Sequence, residues 1–194
     1  AYLLENETID GDNILDLFVP KVQHDPLLKA ELTKAVSIPS QSILFNIDQK
    51  ADVISKTELD ALLSVFVKVF DEACGYFGKQ AYIAQFEREL DQEGLFVEFK
   101  QAFQQHSKKD WTVGRERVLR FSKNIDQAYN QVTKNNVTDV LKTYRDDYKL
   151  SIEDFAEKVD TYIKTKGPKF RLNFFVDEVG QYIADNVKLM TNQK

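Results

Sequence analysis

Apolar residues recur along most of this chain at three- and four-residue intervals, the spacing that gathers side chains on one face of a helix. The longest stripe is Leu59, Leu62, Leu63, Phe66, Phe70, Ala73 and Phe77. Ser55 and Glu58 open it as a capping box, each side chain satisfying the other residue's backbone amide. Further amphipathic helices are predicted over residues 81–91, 95–105, 115–132 and 137–148, with breaks at Gly94, at Gly114 and at Asn135 with Asn136. Ser151 and Asp154 form a second box, and Ile152, Phe155, Val159 and Ile163 continue its stripe until Gly167 and Pro168 end it. Nearer the start, Ile14, Leu15, Leu17 and Phe18 predict a helix after the turn at Gly11 and Asp12. Asp25 with Pro26 then starts another, with Leu28, Leu32 and Ala35 on one face and Pro39 as its stop.

Two segments break this period. Residues 42–47, SILFNI, and 171–176, RLNFFV, are short apolar runs and are predicted to be strands. Leu172, Phe174, Phe175 and Val176 run almost without interruption, as expected of a parallel strand covered on both faces. No repeat or low-complexity tract is visible, so the layout is strand, long helical excursion, strand. That predicts an α/β fold dominated by helices, with a short parallel sheet. The crossover must be structured, because a bare loop of that length is improbable in a folded domain.

Chemistry enters where the second strand ends in two adjacent acids, Asp177 and Glu178, before the pattern turns helical. An apolar strand closed by such a pair has the form of a Walker B site. Hydrolysis of a nucleoside triphosphate needs a carboxylate on a rigid element to anchor the Mg²⁺ that bridges phosphate oxygens, a role for Asp177. A second acid one residue on points to the other side of the backbone, where Glu178 can orient and polarise the attacking water. The competing reading makes Asp177 a helix cap and Glu178 a complement to that helix's dipole.

Composition narrows the classes. A chain of 194 residues, 43% hydrophobic and 29% charged, suits one ordinary globular domain. No apolar stretch approaches the roughly 18 residues of a membrane span. The most apolar helical run, residues 62–70, is interrupted by Ser64 and Lys68, and the start lacks the basic and apolar parts of a secretory signal, so a cytoplasmic protein is expected. Cys74 is the only cysteine, which excludes an intrachain disulfide. A net charge of −5 argues against diffuse binding to nucleic-acid phosphates but leaves a local basic patch open. Lys108, Lys109, Arg115, Arg117, Arg120 and Lys123 cluster around Trp111, and could grip phosphates or a neighbouring subunit. A solvated helix face partly neutralised by Asp110 and Glu116 is the favoured account of them. His24 and His106 show no ligand spacing with each other or with Cys74. Asp146 and Asp147 fall in a helical pattern and read as a solvated face.

The phrases SILFNIDQKAD, residues 42–52, and FFVDEVGQYIADN, residues 174–186, resemble the large P-loop ATPase of BREX bacteriophage-defence systems, the type called BrxC or PglY. The likeness extends along the whole chain. It implies an AAA+-like P-loop NTPase core in which residues 42–47 and 171–176 are parallel neighbours and residues 55–166, approximately, are a helical insertion. It further implies Mg²⁺ binding by Asp177, water activation by Glu178, and Gln181 near the nucleotide at the start of the next helix. ATP and Mg²⁺ are the implied cofactors. The implied partners are other BREX proteins and, in the complete protein, further copies of itself; for DNA the resemblance leaves an indirect role or none specified.

One departure from that family is decisive: no G-x-x-x-x-G-K-[ST] phosphate loop occurs in the chain. Gly78-Lys79-Gln80 is a decoy, since Ala73 stands five residues before Gly78, no Ser or Thr follows Lys79, and a helical pattern runs through it. Residues 1–194 are therefore expected to be an internal fragment of the ATPase domain, beginning after the phosphate-binding helix, and to bind ATP weakly on their own. The alternative from a different class is a non-catalytic helical module for protein interaction. A metal-dependent hydrolase built on Asp177 and Glu178 would need more convergent ligands than the sequence places.

Overall fold

The structure, a computed structural model, describes residues 8–47 and 59–179. The chain is helix-dominated, with a short parallel two-stranded sheet. It forms two compact units, one from residues up to 65 together with those from 151 onward, the other from residues 66–150. Among the described residues no helix is long and apolar enough to cross a membrane.

The first unit opens with a small antiparallel hairpin, β1 (Thr8–Ile9) and β2 (Asp12–Asn13). Its turn needs two positive φ angles, supplied by Asp10 and Gly11. Asn13 then caps α1 (Ile14–Phe18) by accepting a hydrogen bond from the Leu15 amide at 2.8 Å. Asp25 does the same for α2 (Pro26–Ser37) through the Leu28 amide at 3.0 Å. After α2 the chain enters β3 (Ser40–Asn46), which pairs in parallel with β4 (Arg171–Asp177), from Ser40 opposite Arg171 to Asn46 opposite Asp177. The two strands are thus parallel neighbours, as the resemblance implied.

The helix that leads into β4, labelled α9 (Ile152–Lys166), is capped by the Ser151 hydroxyl, which accepts from the Asp154 amide at 3.0 Å. It ends at Gly167, whose φ of 111° few other residues adopt. Tyr162 fastens α9 to the sheet, donating its hydroxyl proton to Gln41 Oε1 at 2.6 Å and meeting Phe170 edge-on. Ile43 and Phe45 are buried, while Leu44 is 57% exposed and its register partner Phe175 is 37% exposed. The expected cover on both faces of residues 171–176 is therefore not met among the described residues. An unbroken apolar run records that both sides favour burial, not which side has a partner.

Between the units' sequences runs α3 (Leu59–Ala73); its predicted capping box, Ser55 and Glu58, lies outside the described residues. The helical stripe was expected to reach Phe77, but α3 stops at Ala73. Gly75 adopts φ 90°, its amide bonds Glu72 O at 3.0 Å, and the Tyr76 amide reaches back to Asp71 O at 2.8 Å. This paired closure satisfies the last carbonyls and turns the chain. Phe77 is buried all the same, from the turn rather than from the helix.

The second unit continues with α4 (Ala81–Gln92), α5 (Phe96–Ser107), α6 (Trp111–Glu116), α7 (Val118–Thr133) and α8 (Val140–Asp147). Its core is aromatic. Phe86 meets Phe99 edge-to-face at 5.1 Å, and Trp111 meets Phe99 at 5.0 Å and Phe103 at 5.2 Å in the same geometry. Such contacts contribute roughly 0.5–1.5 kcal/mol each beyond area burial. Phe86, Phe99 and Phe103, which recur at helical intervals, are fully buried, while Phe96 is partly buried against them.

The single helix predicted over residues 115–132 is instead two. The break falls at Arg117, at φ −136° and ψ 45°, and Gly114 lies inside α6. Gly114 is glycine because Phe103 presses on it: a β-carbon there would sit 2.3 Å from Phe103 Cζ. Gly114→Ala is expected to cost about 1–3 kcal/mol by overpacking, read as a lower denaturation midpoint with unchanged slope. The start of α8 also shifts, from 137 to Val140. Asn130 holds Val137 through both its N–H and its C=O, and the Asp126 carboxylate accepts from the Asp139 and Val140 amides at 2.8 and 3.0 Å. A side chain from α7 thus caps α8.

Two phenols in this unit donate to carboxylates, Tyr76 to Asp91 at 2.7 Å and Tyr144 to Glu89. Burial first, then those carboxylates, push both phenols above their ordinary value of 10.0. Their contribution to stability is complete below pH 10 and lost as pH rises beyond it, because the unfolded chain releases the protons first. Alkaline titration of thermal stability should show that decline, and it should be shallower in a Tyr76→Phe, Tyr144→Phe double variant.

Candidate functional site

β4 delivers Asp177 to its carboxyl end, and the chain leaves the sheet at Glu178. Both side chains are exposed. Glu178 adopts φ 60°, a left-handed conformation that costs a residue with a β-carbon roughly 1–2 kcal/mol. Its amide donates to Asp177 Oδ1 at 2.8 Å. Asp177 Oδ2 has no hydrogen-bond partner among the described residues.

The parallel register brings in a third residue that the sequence reading passed over. Asn46, the last residue of β3, lies opposite Asp177, and its Nδ2 donates to Glu178 Oε2. The amide and the two carboxylates form one polar cluster across the ends of two adjacent strands. The available signal was that SILFNI carries one polar amide near its end, but which residue faces Asp177 depends on register, which spacing within one strand does not fix. Gln181, the third residue assigned by resemblance, lies outside the described residues.

Among the described residues no group of three or more His, Cys, Asp or Glu side chains could hold a metal ion. Mg²⁺, the metal the resemblance implies, keeps several waters and is commonly held by one or two carboxylates plus substrate phosphates, a role the exposed Asp177 carboxylate fits.

Gly78-Lys79-Gln80 forms a turn just before α4, a correction to the helix expected through it. It still makes no phosphate loop. A β-carbon on Gly78 would lie 2.4 Å from Lys68 O, and Lys79 Nζ is paired with Glu116 at 2.8 Å. Asp146 and Asp147 are exposed in α8, as their spacing indicated, with Asp146 facing Arg145 at 3.6 Å. His106 shares a 2.8 Å hydrogen bond with Gln131. No protein-family model matches the chain, and no solved structure matches it at a significant level.

Proposed function

We propose that Asp177 and Glu178 form the acidic side of an ATP-hydrolysing site in a BREX-type phage-defence ATPase of the cytoplasm, this chain being part of its AAA+-like P-loop domain. The observation that carries the reading is the adjacent acid pair at the carboxyl end of a strand with a parallel neighbour, where open α/β sheets bind their ligands. The likeness of residues 42–52 and 174–186 to that family supplies the substrate class.

In this reading Asp177 holds the Mg²⁺ that arrives with the triphosphate, which when bound neutralises charge on the phosphate oxygens. Glu178 accepts a proton from the attacking water and orients it. Asn46 sets where the Glu178 carboxylate rests, and Gln181 lies beside the nucleotide. Other BREX proteins and further copies of the ATPase are the proposed partners, to which hydrolysis is coupled.

The missing phosphate loop makes the first test simple. The 194-residue chain incubated with MgATP is expected to show no turnover above background. Robust hydrolysis abolished by Glu178→Gln would refute the missing-loop argument. The reading frame upstream of Ala1 provides a second test: a G-x-x-x-x-G-K-[ST] loop shortly before it is expected.

A second reading, a helical interaction module, draws on α2. This helix has no buried residue, and Leu27 is 71% exposed on it. A native protein that starts at Ala1 without such a loop would favour the module.

A further inference from the structure

We infer that one end of the helical second unit, where α5 stops and α7 begins, docks the phosphate backbone of duplex nucleic acid. The packing of α5 against α7 makes the patch. Phe103 meets Phe121 at 5.8 Å, and Asn124 Nδ2 donates to His106 O at 3.1 Å, so the end of α5 lies beside the start of α7. At the opposite ends, Leu95 and Glu98 share a groove with Gln131 and Val132, which makes the pair antiparallel. Lys108 and Lys109, at the end of α5, and Arg117, Arg120 and Lys123, at the start of α7, therefore lie at the same end of the helix pair, and all five are exposed.

Neither acid of this stretch forms an ion pair with them. Asp110 accepts from the Thr112 amide and hydroxyl at 2.8 and 2.7 Å, and Glu116 is paired with Lys79. Among the described residues none of the five cations has a carboxylate within ion-pair distance. The remaining cation of the cluster, Arg115, is turned inward to Glu87 at 3.3 Å. Five unpaired cations on the ends of packed helices, in a chain whose net charge is −5, form a localised field that fits a polyanion.

A protein partner would want an apolar centre to the patch. Leu119, 84% exposed, instead lines a cleft with Tyr82, Ser122 and Leu141. Bases have nothing to stack on either, because Trp111 is buried and Phe121 packs against the core. Recognition would thus be of backbone charge and insensitive to sequence.

The test is fluorescence anisotropy of a labelled DNA duplex with the 194-residue chain across a salt series, alongside a single strand of equal length and poly-glutamate as competitor. Duplex affinity should fall roughly 10²–10³-fold between about 50 and 200 mM salt, with a log–log slope of about −4.5 at its steepest, for five phosphate contacts. Lys108→Gln, Lys109→Gln, Arg120→Gln and Lys123→Gln combined should remove about 3 to 4 of that slope, while Lys108→Arg, Lys109→Arg and Lys123→Arg combined should keep it. Trp111 fluorescence checks that each variant is folded. Absence of duplex binding at low salt, a slope untouched by the glutamine variant, tighter binding to the single strand, or equal affinity for poly-glutamate would each overturn the proposal.

Discussion

Glu87→Ala is expected to destabilise the second unit by about 3–5 kcal/mol, the loss typical when one partner of a buried charged network is removed. Glu87 is fully buried. Its Oε2 accepts from the Phe77 amide at 2.7 Å, and its Oε1 accepts from Trp111 Nε1 at 2.6 Å and from Arg115 at 3.3 Å. One carboxylate thus ties the turn after α3, the helix α4 and the helix α6 together. Alanine would leave the Phe77 and Trp111 N–H groups unpaired in the core, along with a space the size of the lost side chain. Trp111 is the only tryptophan, so its emission reports this unit's unfolding in a denaturant titration. A loss below about 1 kcal/mol would show that the network contributes little.

The same residue carries a pH signature. Burial pushes the Glu87 carboxyl above its ordinary 4.5, against the opposing pull of Trp111, Phe77 and Arg115. The folded chain then holds that proton to higher pH than the unfolded chain. Stability is therefore fullest at or below pH 4.5 as far as this group is concerned, and falls as pH rises through the raised value. Glu87→Gln keeps one acceptor oxygen and cannot titrate, so the difference in stability between it and the parent should carry that slope.

How much of this was legible in the sequence depends on the kind of interaction. Helices announced by local chemistry were readable: Asp25 before Pro26, and Ser151 with Asp154, sit where caps were expected. So were the two strands, to within two residues at either end. What failed was whatever a distant side chain decides. Gly114 looks like a helix break and is an accommodation to Phe103. The start of α8 is set by Asp126 in another helix, and Phe77 joined the α3 stripe on spacing alone although Gly75 had already turned the chain. Glu87 falls inside the helix predicted over residues 81–91, and nothing nearby in sequence shows that Trp111 will donate to it. At the candidate site the acids were legible as a local motif. Asn46, more than a hundred residues earlier in the chain, was not.

In a longer protein that supplies the phosphate loop, Glu178→Gln is expected to lower the rate of ATP hydrolysis by roughly 10²–10⁴-fold while nucleotide binding persists. The amide keeps the size of the carboxylate and removes its capacity to take a proton from water. Asn46→Asp separates positioning from catalysis. It places a second carboxylate where the Asn46 amide now donates to Glu178, and two neighbouring like charges raise the pKa of the pair. Glu178 would then stay protonated to higher pH, so the acidic limb of the rate profile should move upward with KM little changed. Asn46→Ala removes the bond without adding charge and should leave that limb near its original position. If Asp177 and Glu178 only start a helix in an interaction module, the glutamine variant will be silent in hydrolysis and neither Asn46 substitution will move a pH profile. The two classes of function therefore part on a single isosteric change.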